Sequence, residues 1–107
     1  MAAIDINREK FNELINGDKP LLVDFWAPWC SYCRRIAGVY DKVAQQNEES
    51  LNVVKVNIDD EPLLADEWKI EVIPTLVLYK DGKALGSVVA PQSKTAIDEF
   101  IKNTLSM

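Results

Sequence analysis

The chain has 107 residues, which fits one domain spanning 1–107 with an adequate hydrophobic core. Its formal net charge of −5 argues against a general nucleic-acid binder, because such a protein needs a basic surface. No apolar stretch approaches the length of a membrane span, and the N-terminal residues lack a secretory signal pattern, so we expect a cytoplasmic protein without membrane contact.

The first predicted elements are a short strand and a helix. Residues 3–6 have the composition of a strand, and Asn7 is a favoured N-cap residue for the helix that follows. Gly17 suits the left-handed conformation that often ends a helix. The apolar residues of this helix recur at helical spacing and predict one buried stripe: Phe11, Leu14 and Ile15.

A buried strand and a long helix come next. Residues 21–26 form a short apolar run bounded by prolines, which is typical of a strand covered on both faces. Helical spacing resumes after the second cysteine and predicts a helix from Cys30 to about residue 47. Gly38 lies inside this helix, where it indicates either a bend or the close approach of another element.

The second half of the chain predicts a strand, a short helix, a hairpin and a final helix. Asp81-Gly82 is a strong hairpin signal, and Gly86 suggests a bulge or a close contact in the strand after it. The expected elements are strand 51–58, helix 62–68, strand 75–80, strand 83–89, and helix 93–105 with Ile97, Phe100, Ile101 and Leu105 buried.

This order of elements predicts an α/β fold. Strands that alternate with helices form parallel pairs, and a terminal hairpin adds antiparallel strands. We therefore expect a central mixed β-sheet of about five strands flanked by about four helices, with helices on both faces. The active site of such a sheet lies beyond the carboxyl ends of its parallel strands, and Cys30 follows the second strand at such an end.

Cys30 and Cys33 are the two cysteines of the chain, and they have C-x-x-C spacing at the start of the long helix. A helix N-terminus has unpaired N–H groups and a partial positive charge, and both favour a thiolate at Cys30. A thiolate is the nucleophile of disulfide exchange. We therefore expect Cys30 to attack a disulfide and Cys33, one turn deeper and more shielded, to resolve the intermediate.

Other interpretations of the cysteine pair remain open. Zinc needs four ligands, whereas the chain has no histidine and no third cysteine. A structural disulfide is a second option, although closing so short a loop stabilises weakly, and two inert buried thiols are a third. In another functional class, the pair could bridge a metal or an iron–sulfur cluster between two subunits, with two ligands from each.

Asp24 interrupts the apolar run of the second strand. A carboxylate buried between the layers of a sheet is desolvated, so its pKa should be raised. We expect Asp24 to act as a general base that removes the proton from Cys33, directly or through a water. The alternative is a carboxylate that faces solvent where the sheet is incompletely covered.

The motif Trp26-Ala27-Pro28-Trp29-Cys30-Ser31-Tyr32-Cys33, after a strand that carries Asp24 and before a distant Ile73-Pro74-Thr75, resembles the thioredoxin family. The resemblance covers essentially the whole chain, in order and with matching spacing. It implies the thioredoxin fold, a buried aspartate at position 24, and a protein dithiol–disulfide oxidoreductase. It also implies a monomer that acts on disulfide-containing proteins, needs no cofactor beyond its Cys30–Cys33 disulfide, binds no metal, and depends on a thioredoxin reductase.

The resemblance assigns roles to three residues outside the motif. Lys55 matches a lysine that the family places near the aspartate, where it would favour the charged carboxylate; the alternative is a surface lysine. Most X-Pro bonds are trans, so sequence alone predicts a trans bond before Pro74. The resemblance instead implies a cis bond facing the cysteines, which would leave the backbone of Ile73 free to pair with a substrate segment.

The expected substrate-docking surface surrounds the cysteines. Trp29 should form one wall, unless it is an ordinary core aromatic, and Val89 and Ala90 should form another. Ser31 and Tyr32 belong to the same surface and depart from the Gly-Pro pair that is usual in the family. Tyrosine keeps the backbone N–H that proline lacks, and this donor could bond the Cys30 thiolate and stabilise the reduced form. We therefore expect a more oxidising protein than a typical thioredoxin.

Overall fold

The computed structural model describes residues 2–106, which form a five-stranded sheet with helices on both faces. The strands lie in the order β1-β3-β2-β4-β5. None of the helices in this described range is long and apolar enough to cross a membrane. The elements, in chain order, are β1 Ile4–Asp5, α1 Arg8–Ile15, β2 Leu21–Trp26, α2 Ser31–Gln46, β3 Asn52–Asn57, α3 Pro62–Glu67, β4 Thr75–Lys80, β5 Lys83–Val89 and α4 Lys94–Leu105.

The sheet is mixed, as predicted. β3 pairs in parallel with both β1 and β2, whereas β4 is antiparallel to β2 and β5 is antiparallel to β4. β2 therefore lies in the middle of the sheet, where both of its edges are paired. In this register Asp24 lies opposite Lys55 on one side and Leu76 on the other.

Alternate residues of β2 pack into two separate hydrophobic cores. Leu22 belongs to the core beneath α2 and α4, which includes Tyr40 of α2. Val23 and Phe25 belong to the core on the opposite face, beneath α1 and α3. Because strand side chains alternate between faces, Asp24 shares the face of Leu22 and lies on the α2 side of the sheet.

Most element boundaries agree with the sequence predictions. β4, β5 and α4 have the predicted ranges within one residue, and β3 is shorter at both ends. Asp81 and Gly82 both have positive φ angles, 53° and 80°, as a tight hairpin turn requires. The register shifts between Leu78, which lies opposite Gly86, and Tyr79, so of the two alternatives expected at this glycine the bulge is present. A Cβ added to Gly86 would make only an ordinary van der Waals contact with Thr104, at 3.4 Å.

Two local predictions were wrong, and one of two alternatives at Gly38 is excluded. Gly17 does not have a positive φ; α1 instead ends at Asn16, whose side-chain amide donates to the Asn12 carbonyl and satisfies the last turn. A Cβ at Gly38 would meet nothing within 4 Å, so this glycine does not admit a neighbouring element, and a bend stays the predicted reason for it. Leu105 is 38% exposed, because the buried stripe of α4 continues instead at Thr104.

Candidate active site

Cys30 lies where β2 has ended and α2 begins. It is the N-cap residue of α2, with extended backbone angles, and its Sγ accepts a hydrogen bond of 3.2 Å from the Cys33 amide. An N-cap side chain normally accepts a hydrogen bond from the amide three residues later through an oxygen atom. Here the Cys30 sulfur replaces the oxygen of the usual serine or aspartate. The positive end of the helix dipole and the orphan amides of the first turn therefore act on this sulfur.

Cys33 is the partner of Cys30 in a disulfide, and the two Cα atoms are 5.3 Å apart. The side chains differ in access to solvent, because Cys33 is only 3% exposed whereas Cys30 is partly exposed. An incoming substrate sulfur can therefore reach Cys30 more easily. The arrangement is suited to an attacking thiol at Cys30 and a protected thiol at Cys33.

The loop before β4 lies against the cysteine pair. The Ile73–Pro74 peptide bond is cis, as the family resemblance implies, and the Ile73 carbonyl oxygen lies 4.0 Å from Cys30 Sγ. The Pro74 carbonyl accepts a hydrogen bond of 2.9 Å from the Ala90 amide. This bond joins the segment after β5 to the loop before β4, so the two predicted docking segments form one continuous surface.

Exposed apolar side chains surround this surface. Trp29 is 65% exposed, so it is not a core aromatic, and its indole N–H donates to Asp59 at 3.0 Å. Val72 and Val89 are also more than half exposed. Val72 and Val89 line the same surface cavity, and an exposed apolar patch of this kind is typical of a contact surface.

Tyr32 connects the cysteine motif to the segment after β5. Its hydroxyl donates a hydrogen bond of 2.8 Å to the Pro91 carbonyl, and Arg35 lies over its ring at 5.8 Å. Ser31 is exposed beside it. The sequence predicted a docking role for Tyr32 but could not show this bond, because the two residues are 59 positions apart.

Asp24 is buried, with 2% of its surface exposed, so the solvent-facing alternative is excluded. Its Oδ1 has no hydrogen-bond partner. Burial raises the pKa of Asp24 to about 7; the positive charge of Lys55 opposes this effect, and the negative charge of Asp5 adds to it. A carboxyl group with this pKa can accept and release a proton near neutral pH, which is the property of a general base.

Lys55 extends from β3 beside Asp24, and its side chain is 20% exposed. Its ammonium nitrogen lies 4.0 Å from Asp5 and 4.7 Å from the centre of the Trp26 ring. The Trp26 indole N–H also donates to Asp5, at 2.6 Å. Sequence reasoning did not identify Asp5, because its position beside Lys55 depends on the pairing of β1 with β3, which the two-residue strand does not reveal.

No metal site is apparent in the described range. Among residues 2–106, no three side chains of the histidine, cysteine, aspartate and glutamate types are grouped as metal ligands. No observation favours the alternative of a metal-bridging or iron–sulfur module.

Comparisons with known proteins agree with this geometry. Residues 2–103 match the family model described as Thioredoxin. The chain is 42% identical to Thioredoxin 1 of Nostoc sp. over 105 residues, covering 97% of this chain and 98% of the relative. It is 43% identical to Thioredoxin of Porphyra purpurea over 94 residues, covering 88% of each chain.

A solved structure from work on the thiol-resolving mechanism of yeast mitochondrial 1-Cys peroxiredoxin is also similar. It has a TM-score of 0.82 and 30% sequence identity, covering 94% of each chain. Together with the observed order of strands and helices, this similarity confirms the predicted fold class.

Proposed function

The chain belongs to the thioredoxin family, and from this premise we propose which of its residues carry out each step of disulfide exchange. The activity itself, that of a protein dithiol–disulfide oxidoreductase, is shown by the family match and by relatives 42% to 46% identical. Members of the family act on disulfide substrates and are reduced by a thioredoxin reductase.

The first step is attack by Cys30. Its thiolate forms a bond to one sulfur of the substrate disulfide while the bond between the two substrate sulfurs breaks, and the departing thiolate takes a proton from solvent. The product is a mixed disulfide between Cys30 and the substrate. The N-cap position supports this role, because the amide of Cys33 and the dipole of α2 stabilise negative charge on Cys30 Sγ.

The second step is resolution by Cys33. Asp24 accepts the Cys33 proton, directly or through a water, and the new thiolate attacks Cys30 Sγ. The substrate leaves as a thiolate, so the substrate gains two electrons and the Cys30–Cys33 disulfide forms. Asp24 and Cys33 lie on the same side of the sheet, since Asp24 faces the α2 core and Cys33 is buried on α2.

The substrate is held by the surface around Cys30. Five residues contribute side chains to this surface: Trp29, Ser31, Tyr32, Val89 and Ala90. The backbone of Ile73, beside Pro74, pairs with an extended substrate segment. The exposed Trp29 and Val89 supply apolar contact area. Lys55 acts from beneath, by limiting the rise in the pKa of Asp24.

The protein acts as a single-domain cytoplasmic monomer in this proposal. A thioredoxin reductase of unspecified type restores the dithiol, and the redox-active disulfide is the only group required beyond the substrate. The partners are disulfide-containing proteins rather than nucleic acid or membrane. Gel filtration at micromolar concentration should give one peak at the mass of a single chain.

The observation that carries the proposal is the unequal setting of the two sulfurs: Cys30 caps a helix and is accessible, whereas Cys33 is buried behind it. Insulin reduction with dithiothreitol tests it. The matched variants Cys30→Ser and Cys33→Ser should both lose turnover, but only Cys33→Ser should accumulate a mixed disulfide with insulin, detected by mass spectrometry. Serine is a good N-cap residue, so Cys30→Ser should fold.

Accumulation of the mixed disulfide on Cys30→Ser instead would reverse the assigned roles of the two cysteines. Circular dichroism of both variants provides the control for folding.

A further inference from the structure

The two-residue strand β1 places a carboxylate beside the redox site that the reaction scheme does not use. Asp5 lies opposite Lys55, and Lys55 lies opposite Asp24, so the three charged residues stand in a row across neighbouring strands. β1 is held in this register by its pairing with β3 and by the Ile6 amide, which donates to the Lys55 carbonyl at 2.8 Å. The backbone thus fixes Asp5 at one end of the row and Asp24 at the other.

Lys55 forms its ion pair with the exposed carboxylate of this row rather than with the buried one. Its ammonium lies 4.0 Å from Asp5 Oδ2, and among residues 2–106 it has no ion pair with Asp24. Asp24 Oδ1 is left without a partner. An ammonium turned toward Asp24 would favour the charged carboxylate and so weaken it as a proton acceptor.

The Trp26 indole fixes the position of Asp5. Its N–H donates to Asp5 Oδ1 at 2.6 Å, which leaves Oδ2 to face Lys55. The Lys55 ammonium also lies over the face of the same indole, at 4.7 Å from the ring centre. Each of the three side chains therefore contacts the other two, and the ammonium is held by contacts that do not involve Asp24.

We propose that Asp5 is a positioning residue of the redox site. By binding the Trp26 indole and drawing the Lys55 ammonium toward itself, it weakens the electrostatic stabilisation that Lys55 gives to the charged Asp24 carboxylate. The inference rests on the proposed role of Asp24 as the base for Cys33. It explains why a solvent-facing carboxylate on a minimal strand is bound on both of its oxygens. It also assigns a function to β1 beyond extending the sheet.

The other groups around Asp24 do not supply this effect. Tyr40 of α2 is buried, and burial raises its pKa well above the usual value, so it stays neutral; its hydroxyl donates to the Val54 carbonyl at 2.7 Å. The β4 neighbour Leu76 is apolar, α4 packs Ile97 and Ile101 into this core, and the buried Thr104 of α4 is not ionisable. Cys33, on the inner face of α2, is the group whose proton Asp24 would accept.

Titration of the Asp24 side-chain carboxyl by carbon-13 NMR, in the oxidised protein, tests the proposal without reference to turnover. The wild-type midpoint should lie at about 7. Asp5→Asn should lower it by about half a pH unit or more, because Lys55 is then free to stabilise the charged form of Asp24. Asp5→Glu should restore most of the wild-type value, and Asp66→Asn, the same charge change on exposed α3, should leave the midpoint unchanged.

A midpoint that rises or stays constant in Asp5→Asn would overturn the proposal. The same measurement in a Lys55→Met background tests whether Asp5 acts through Lys55, and there the effect of Asp5→Asn should fall to less than half. If it persists at full size, Asp5 acts directly on Asp24 and the positioning role is wrong.

The rate at which the mixed disulfide resolves, followed against pH, separates this inference from the proposed reaction scheme. A matching downward shift of the rate profile in Asp5→Asn supports both. An NMR shift without a shift in the rate profile supports the role of Asp5 and contradicts Asp24 as the base.

Discussion

Burial makes the charged form of the Asp24 carboxyl energetically unfavourable. It stands on the central strand between two paired neighbours, 2% exposed and with one oxygen unpartnered. Its pKa is raised from 3.8 to about 7, so the native state binds this proton more tightly than the unfolded chain does. A protein selected only for stability would have no reason to keep a carboxyl here, so its presence is consistent with a role in proton transfer.

The pH dependence of stability should show this cost. Because the native pKa is the higher one, the favourable contribution is complete below about pH 4 and is lost as pH rises through 7. A shift of this size corresponds to about 4 kcal/mol, taken as an upper bound. Asp24→Asn, which cannot ionise, should therefore be more stable than wild type by about 2–4 kcal/mol above pH 8, with little difference near pH 4.

Urea unfolding of the oxidised protein at several pH values measures this difference. Asp66→Asn is the matched control and should follow the wild-type curve. A gain in Asp24→Asn that is constant across pH would mean that packing, not ionisation, explains it.

The first turn of α2 determines the chemistry of the attacking sulfur. Cys30 Sγ replaces the oxygen of an ordinary N-cap and accepts the Cys33 amide, and the amide of Tyr32 lies between the two cysteines in the same turn. A proline at position 32 would lack that amide. The helix start of this chain thus has one more donor available to a thiolate than the Gly-Pro motif that is usual in the family.

The reduction potential should respond to that donor. A hydrogen bond to a charged group contributes about 1.5–3 kcal/mol, which corresponds to about 30–60 mV for a two-electron couple. We expect the wild-type potential to lie above the value of about −270 mV typical of thioredoxin. The double variant Ser31→Gly/Tyr32→Pro should be more reducing than wild type when both are equilibrated with glutathione at known ratios.

Tyr32→Phe is the control for this experiment. It keeps the amide of position 32 and removes only the hydroxyl that binds the Pro91 carbonyl, so its potential should remain at the wild-type value. A wild-type potential at or below that of the Gly-Pro variant would contradict the role of the amide.

The Cys30–Cys33 disulfide is the covalent cross-link of the chain, and it joins residues only three positions apart. This link closes a loop of only four residues, so it removes little freedom from the unfolded chain. The chain-entropy estimate for such a loop is about 2 kcal/mol. The rest of the stability must come from the two hydrophobic cores on either side of the sheet.

Reduction should therefore weaken the protein without unfolding it. The free energy of unfolding in urea should fall by about 2 kcal/mol when dithiothreitol is added. The double variant Cys30→Ser/Cys33→Ser should be insensitive to the reductant. Equal stability of the oxidised and reduced wild-type protein would contradict the expectation.

Several features could be predicted from sequence because they depend on neighbours in the chain. The buried strand β2, the helix that begins after Cys30, and the hairpin at Asp81-Gly82 each follow from local periodicity or turn chemistry. The burial of Asp24 followed from its interruption of an apolar run. The wrong predictions at Gly17 and Leu105 concern helix ends, where a side-chain bond or a shift of one residue changes the outcome.

The contacts that complete the site join distant parts of the chain, and only the packed fold determines them. The Ile73 carbonyl meets Cys30 across 43 positions, and Tyr32 meets the Pro91 carbonyl across 59. Asp5 reaches Lys55 because β1 pairs with β3 in one register, and local pattern does not specify register for a strand of two exposed residues. Periodicity records which face of an element is apolar, whereas which elements become neighbours depends on the packing of those faces against one another.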